Sequence, residues 1–259
     1  MSKLKFKIGD EVINKYGDVL VLIEYRNYND ITILFKEYNI TKNTSCQYFK
    51  NGCKLICEYS KGYSGVGFIG VGKYNIYQED SRTMNKCART WSDMLRRCYD
   101  VEYKEKHPSY KDVYCCDEWH NFQNFAKWYY DNFYDIDEQL CLDKDILNKN
   151  NKIYSPNSCI LIPQTINKLI EKRDRDRGDY PLGVHLSKSN NGFVAQCSTP
   201  LTNKKNTRYI GTFNTIKEAF NSYKKVKEEY IKEVADLYKD KIPQKLYEAM
   251  YNYEVEITD

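Results

Sequence analysis

A short block of the sequence, residues 141–169, concentrates small acidic and amide side chains ahead of an apolar run. Asp143 and Asp145 flank Lys144, and Asn167 follows within a helix-like segment. Carboxylate and amide oxygens suit a hard cation such as Mg²⁺, which takes few protein ligands and keeps several waters. Such an ion polarises a phosphodiester and stabilises the leaving oxygen. The block therefore has two interpretations: polar turns of an ordinary fold, or a one-metal site for phosphodiester hydrolysis.

The elements predicted around this block would bring the two oxygen ligands together. "QLCLDKDI" predicts a short strand that ends in charge, and "NKNNKIYSPN" predicts a loop because Asn clusters and Ser-Pro interrupt regular structure. "SCILI" predicts a second strand, after which Pro163 opens a helix. A hairpin that folds back onto its own helix can place Asp143 beside Asn167.

The residue that would activate the attacking water is left open by the sequence. Lys144 can act as a base only if burial or a nearby cation lowers its pKa strongly, and otherwise it would stabilise charge on the phosphate. His120 and His107 are the alternatives, although helical spacing predicts a surface position for His120. Asp145 would orient Lys144, bind a second water shell or cap a turn.

Composition limits the class of protein. With 259 residues, 41% hydrophobic and 15% aromatic, the chain can form two or three domains with real cores. The net charge of +4 conceals 40 Lys+Arg and 36 Asp+Glu, so nucleic-acid binding requires that the basic residues be grouped. The start "SKLKFKIGD" lacks an apolar signal core and no run reaches membrane-spanning length, which predicts a cytoplasmic protein without membrane partners. Its ten cysteines form no close Cys-x-x-Cys pair, so we expect reduced thiols and no structural zinc.

The predicted fold class is α+β, in three segments. Residues 1–75 predict a small β-barrel or curled sheet that serves as an accessory module, with "ITILFKEY" and "CKLICEY" among its strands. Residues 76–178 predict two helices with aromatic core faces, the second beginning with Asp117 as its N-cap, followed by the strand–strand–helix unit. Residues 179–259 predict three strands and two helices, and Thr215 with Glu218 predicts a capping box on the longer helix.

Five motifs in the middle segment carry a family resemblance. "WSDMLRRCY", "CCDEWHNFQNFAKW", "LDKDI", "YSPNSC" and "INKL", in this order, resemble phage-encoded endonucleases of the HNH (His-Me finger) superfamily over about residues 85–172. The resemblance implies a ββα-metal domain that nicks or cuts DNA with one Mg²⁺ or Mn²⁺ ion. It carries the metal carboxylate onto Asp143 and the helix-borne metal ligand onto Asn167. Lys144 stands where better-understood members have the general-base histidine, and Ser158 stands where the family has its central asparagine.

A second resemblance covers about residues 181–231. "GVHLSKSNNGFVAQCS" and "RYIGTFNTIKEAFNSY" resemble the AP2 DNA-binding domain, which implies a three-stranded sheet that reads bases with a helix packed behind it. Phe193 replaces the family's usual tryptophan, and Ser198 replaces an arginine. The resemblance assigns DNA contact to His185, Gln196, Ser198, Arg208 and Tyr209. The basic stretch "LTNKKNTRY" places Lys204 and Lys205 where they would reach flanking phosphates, and Lys188 is a further predicted contact.

Together these patterns predict a metal-dependent endonuclease of phage HNH type that an AP2-like domain positions on double-stranded DNA. If the chain is phage-encoded, its location would be the cytoplasm of an infected bacterium, and residues 1–75 could bind a host or phage protein. The alternative is a catalytically degenerate relative: a DNA-binding regulator or a phage counter-defence protein. Lys144 and Ser158 favour that alternative.

Overall fold

The computed structural model describes residues 6–52, 55–79, 81–171, 179–188, 191–199 and 207–258. They form two compact units: Met1–Asp131 with Lys152–Pro156, and Asn132–Asn151 with Asn157–Asp259. The five residues 152–156 thus belong to the first unit, although the chain on either side of them belongs to the second. The architecture is mixed α+β, as predicted. The first unit holds residues of the first two predicted segments, and the second unit holds residues of the last two.

The described residues contain eleven strands and seven α-helices. The strands are β1 (Glu11–Ile13), β2 (Val19–Asn27), β3 (Asp30–Phe35), β4 (Ile40–Thr44), β5 (Tyr114–Cys115), β6 (Leu140–Asp143), β7 (Ile153–Tyr154), β8 (Ile160–Pro163), β9 (Val184–Leu186), β10 (Phe193–Ser198) and β11 (Thr207–Phe213). The helices are α1 (Cys46–Asn51), α2 (Lys86–Tyr99), α3 (Val101–Lys106), α4 (Phe122–Asp131), α5 (Gln164–Ile170), α6 (Ile216–Tyr238) and α7 (Gln244–Tyr251). None of these helices has the length and apolar character needed to cross a lipid bilayer.

The N-terminal strands form an open antiparallel sheet in the order β1-β2-β3-β4. Strand β3 alternates partly buried and buried side chains, and its buried face packs with β2 and with Phe49 of α1. The predicted β-barrel is wrong: β1 and β4 lie at opposite edges of this sheet, and four short strands are too few to close around a packed interior. A helix covers the apolar face instead.

The predicted strand "CKLICEY" is also wrong over its described part. Residues 55–59 contain no strand, although Leu55 and Cys57 are buried in the core of the N-terminal sheet. Asn14 donates a hydrogen bond of 2.8 Å to the Leu55 carbonyl, so this backbone is paired with a side chain rather than with another strand. The described part of this segment therefore has the apolar composition of a strand but does not form the backbone hydrogen bonds that pair one strand with another.

The aromatic helices of the first unit pack as predicted, with one interruption. Trp91 of α2 is fully buried, and its indole donates a hydrogen bond of 2.7 Å to the Trp119 carbonyl. The second predicted helix is broken at Asn121, which is extended and bridges to Phe68. A single 3-10 turn over Asp117–His120 precedes the break. The predicted cap at Asp117 is therefore wrong: no side chain caps this turn, because its N-cap residue is a cysteine.

The second unit joins a ββα element to a three-stranded sheet. Strands β6 and β8 pair antiparallel, with Asp143 opposite Ile160, and α5 begins directly after β8. The other sheet has the order β11-β10-β9 and packs against α6. The predicted capping box between Thr215 and Glu218 is confirmed. The predicted last helix after Pro243 is α7.

One hydrophobic core serves both parts of the second unit. It includes Ile160, Ile162 and Ile166 of the ββα element together with residues of the three-stranded sheet and of α6 and α7. Gly183 allows the sheet to approach α6 closely. Its φ of +73° is unfavourable for other residues, and a Cβ there would lie 2.1 Å from the Tyr223 ring.

Candidate metal centre and nucleic-acid interface

Asp143 ends strand β6, and its side chain organises the turn that follows. Its Oδ1 accepts hydrogen bonds from the backbone N–H groups of Asp145 (2.9 Å) and Ile146 (2.7 Å). Asn and Asp often close turns in this way, because the side-chain oxygen replaces a backbone acceptor. No hydrogen bond reaches Oδ2 from the described residues. One carboxylate oxygen is thus fixed by the fold, and the other is available to a ligand.

Burial raises the pKa of Asp143, and the nearby carboxylate of Asp145 acts in the same direction. The two backbone donors and Lys144 oppose this effect without cancelling it. A carboxylate in this environment favours any partner that supplies positive charge, since the charged form is poorly solvated. A bound divalent cation would be such a partner.

Lys144 is buried, and its ammonium group is surrounded by acceptors. Its Nζ lies 2.7 Å from both carboxylate oxygens of Asp145 and 2.7 Å from the Asn151 carbonyl. The Asn151 amide donates back to the Lys144 carbonyl at 3.0 Å. Three acceptors match the three N–H donors of a charged lysine, which has no lone pair to accept a proton. The contacts therefore favour a charged lysine that fixes the loop after β6 over a general base.

Asn167 lies in the middle of α5, partly exposed, in the helix that contacts both strands of the hairpin. Pro163 pairs with Leu140, so α5 begins at the end of the hairpin opposite Asp143. Three strand residues take Asp143 about 10 Å from that end. Asn167 is the fourth residue of this helix, so the two predicted ligands belong to the same ββα element.

The donor set fits a single hard cation that keeps much of its water. No group of three or more His, Cys, Asp or Glu side chains suited to a metal occurs in the described parts of the chain. A one-carboxylate, one-amide set is smaller than such a group and is typical of Mg²⁺ rather than of Zn²⁺. Asp143 with its available oxygen and Asn167 are the residues that would hold the ion.

Ser158 and Asn157 differ in exposure. Ser158 is buried two residues before β8 begins, and its hydroxyl lies 4.0 Å from the Cys159 thiol. Asn157, one position earlier, is exposed. The position that carries the family's central asparagine is thus a buried serine in this chain.

The histidines considered as alternative bases both belong to the first unit. His120 is partly buried, not a surface residue as predicted: its side chain is 22% exposed and its Nε2 lies 2.9 Å from the Tyr99 hydroxyl. Burial lowers its pKa, which favours the neutral ring. His107 stacks on Tyr103 with ring centroids 4.1 Å apart. Asp143 belongs to the second unit.

The outer face of the three-stranded sheet brings together most of the described residues predicted to contact DNA. His185 pairs across from Val194, and Gln196 pairs across from Tyr209. Gln196, Ser198 and Tyr209 are exposed, whereas Ala195 and Cys197 between them are buried. The hydroxyl groups of Tyr209 and Thr212 lie 2.9 Å apart on this face.

Arg208 lies on the opposite face from those residues. It pairs across from Cys197, whose side chain is buried toward the core. A bulge between Ala195 and Gln196 shifts the register, so that Tyr209 and not Arg208 shares a face with Gln196. Lys188 is exposed beyond β9. Lys204 and Lys205 lie outside the described residues.

Glu138 is a site-supporting residue that the sequence analysis missed. Its carboxylate accepts a hydrogen bond from the Thr165 backbone N–H at 3.1 Å and another from the Tyr238 hydroxyl. Helix α5 has Pro163 at its N-cap position and no side-chain cap of its own, so Glu138 supplies the acceptor from a distance. The sequence signal was the lack of a capping side chain before the helix in "IPQTINKL", which indicated that an acceptor must come from elsewhere in the chain.

Comparison of the sequence with protein-family models and with curated proteins, and of the fold with solved structures, gives no match.

Proposed function

We propose that this chain is a metal-dependent DNA endonuclease of phage HNH type. The observation that carries the proposal is the ββα element, with Asp143 at the end of its first strand and Asn167 on its helix. In a nuclease site of this kind, one carboxylate must be held firmly while one of its oxygens remains available. Asp143 meets both requirements, because backbone donors fix Oδ1 and leave Oδ2 without a hydrogen bond among the described residues.

A bound Mg²⁺ or Mn²⁺ would polarise the scissile phosphodiester and stabilise the leaving oxygen. Asp143 and Asn167 would hold and orient that ion. Lys144, Asp145 and Asn151 keep the loop after β6 in one conformation, so that the Asp143 carboxylate does not need to reorganise during the reaction. Lys144 also adds a positive charge near the site. In this proposal the proton of the attacking water passes to solvent or to a phosphate oxygen rather than to Lys144.

The three-stranded sheet would hold the DNA. Its outer face presents His185, Gln196, Ser198 and Tyr209, which are donors and acceptors able to reach base edges in a major groove. One hydrophobic core contains residues of both this sheet and the ββα element. Sequence reading and cleavage would therefore be placed in a fixed register.

A second candidate function is a DNA-binding protein that does not cleave. Two observations favour it: Lys144 is engaged with three acceptors, and Ser158 replaces the family's asparagine in a buried position. In this case the ββα element would serve as a scaffold for the sheet. Such a protein would act by occupying DNA or by opposing a host defence system.

Incubation of supercoiled plasmid with the full chain separates the two candidates. We expect a nicked or linear product with Mg²⁺ or Mn²⁺ and none with EDTA. Asp143→Asn should abolish the product while retaining duplex binding, since Asn preserves the hydrogen bonds of the turn. Metal-independent binding with no product under any divalent ion would support the non-cleaving alternative.

A further inference from the structure

Two adjacent arginines at the end of α2 each lie over a tyrosine ring but differ in exposure and in their ionic partners. The side chain of Arg96 is 54% exposed and has a carboxylate partner, Asp93, at 3.5 Å. Arg97 is partly buried, and it forms no ion pair with a carboxylate among the described residues. The same charge is thus compensated at one position and uncompensated at the next.

The neighbours of Arg97 are aromatic and neutral. Its guanidinium lies over the Tyr110 ring, 5.9 Å from the centroid, and it donates a hydrogen bond to the Tyr154 hydroxyl. Tyr154 is 2% exposed and belongs to β7, which pairs with β5 within the first unit. Tyr103 contacts Tyr110 edge-on at 5.8 Å, and its own ring lies 5.0 Å from the guanidinium of Arg96. The rings of Tyr110 and Tyr154 exclude water from one side of the Arg97 guanidinium and hold it in place.

Arg97 keeps its charge without an anionic partner among the described residues. A buried charge is costly unless it is paired, and a cation–π contact together with the C-terminal dipole of α2 offsets only part of that cost. Burial is the largest influence on the pKa of Arg97 and opposes its charge, although the tyrosine hydroxyls raise the pKa overall. The neutral partners therefore orient the guanidinium without neutralising it.

We propose that Arg97, with Tyr154 and Tyr110, forms a phosphate-binding site that grips the backbone of the nucleic acid. The planar guanidinium presents donors in a fork that fits two oxygens of a phosphodiester. The choice of nucleic acid as the source of the phosphate rests on the proposed function, while the anion site itself rests on Arg97. This contact is sequence-independent and would add to the affinity that the three-stranded sheet provides.

The experiment compares Arg97→Met with Arg96→Met in the full chain. Methionine preserves much of the apolar stem, and Arg96 offers a matched loss of one charge at the neighbouring position. Binding of a short duplex without metal is titrated over a range of NaCl concentrations. We expect Arg97→Met to weaken binding about tenfold and to reduce the salt slope by about 0.9, the value for one lost phosphate contact. Arg96→Met should change both quantities much less.

A second measurement separates a free phosphate from a nucleic-acid phosphate. Thermal unfolding is followed in inorganic phosphate and in NaCl at equal ionic strength. We expect phosphate to raise the Tm of the wild type and of Arg96→Met, but not that of Arg97→Met. A phosphate effect without any change in duplex binding would overturn the assignment to nucleic acid.

A structural role for Arg97 predicts a different pattern. Arg97→Met would then lower Tm equally in both salts and leave the duplex affinity of the folded protein unchanged, which would overturn the proposal. If Arg97→Met does not fold, Arg97→Lys retains the charge without the fork and should weaken duplex binding at an almost unchanged salt slope. A wild type that binds duplex through Arg97 but nicks no plasmid would refute the endonuclease and leave this site intact.

Discussion

The Lys144 ammonium lies 2.7 Å from both carboxylate oxygens of Asp145, its neighbour in sequence, although the two side chains differ greatly in exposure. The Lys144 side chain is 9% exposed, and that of Asp145 is 48% exposed. Loss of either partner should therefore have an unequal effect. A buried cation without its anion is costly, whereas an exposed carboxylate without its cation is simply hydrated.

We expect Asp145→Asn to destabilise the fold by about 3 kcal/mol and Lys144→Met by about 1 kcal/mol or less. The double variant should be more stable than Asp145→Asn alone, because the uncompensated cation has been removed. Urea unfolding of the four proteins measures this cycle. If Lys144→Met instead keeps wild-type stability and loses all cleavage, Lys144 acts in the chemistry and not only in the loop.

Asp143→Asn should preserve or increase stability at neutral pH. Because the folded-state pKa of Asp143 is raised, the folded protein binds this proton more tightly than the unfolded chain does. Ionisation therefore lowers stability, fully above the folded-state pKa, and this penalty shrinks as the pH falls through that pKa and is gone below the unfolded-state pKa. The neutral amide avoids the penalty and retains the acceptor for the turn. Thermal unfolding against pH should show the wild type approaching the variant as the pH falls.

The same substitution should remove the stabilisation that a divalent cation gives. At a hundredfold excess over its Kd, a cation that binds only the folded state adds about 2.7 kcal/mol to the wild type. We expect a rise in Tm with Mn²⁺ for the wild type and none for Asp143→Asn. Asn167→Ala should reduce the rise. An equal rise in all three proteins would place the cation elsewhere.

Glu138 should support the second unit only while it is ionised. Although burial raises its pKa, hydrogen bonds from Thr165 and Tyr238 lower it by more, so the net pKa is below the ordinary value. The stabilisation that ionised Glu138 gives to the folded protein is complete above the unfolded-state pKa of about 4.3. It is lost as the pH falls through the lower folded-state pKa. Glu138→Gln should cost about 1 kcal/mol at neutral pH and make stability less sensitive to acid below pH 4. Tyr238→Phe is the matched control, since it removes one donor and retains the carboxylate.

The two faces of the three-stranded sheet should respond differently to substitution. Gln196→Ala should relax the base preference of the protein, because this side chain lies on the outer face beside Tyr209. Arg208→Met should leave the base preference unchanged, since Arg208 pairs across from the buried Cys197, on the face opposite Gln196. Selection of bound duplexes from a random pool measures both effects. A preference altered by Arg208→Met but not by Gln196→Ala would exclude the outer face as the reading surface.

The sequence predicted elements wherever a local pattern decided the structure. Pro163 and the apolar spacing after it marked α5, and Thr215 with Glu218 marked the start of α6. The break at Asn121 was not predictable because it depends on pairing with Phe68, 53 positions earlier in the chain. Long-range pairing of this kind overrides a helical pattern.

The position of Arg208 shows why the candidate site was only partly predictable. Alternation along a strand assigns a side chain to a face only when the register is known. Continuing from Val194 opposite Thr212, an unbulged ladder would have placed Arg208 outward, and the extra residue at the bulge places Tyr209 outward instead. The bulge leaves no clear pattern in the sequence, apart from Gly211 beside it.

Lys152–Pro156 belongs to the first unit, although β6 and β8 on either side of it belong to the second. Neither unit is therefore a continuous length of polypeptide. A truncation or a domain exchange with a single junction cannot separate one complete unit from the other. A junction between residues 132 and 156 would divide both units at once. We therefore expect functional hybrids of related genes to be joined outside residues 132–156 rather than within them.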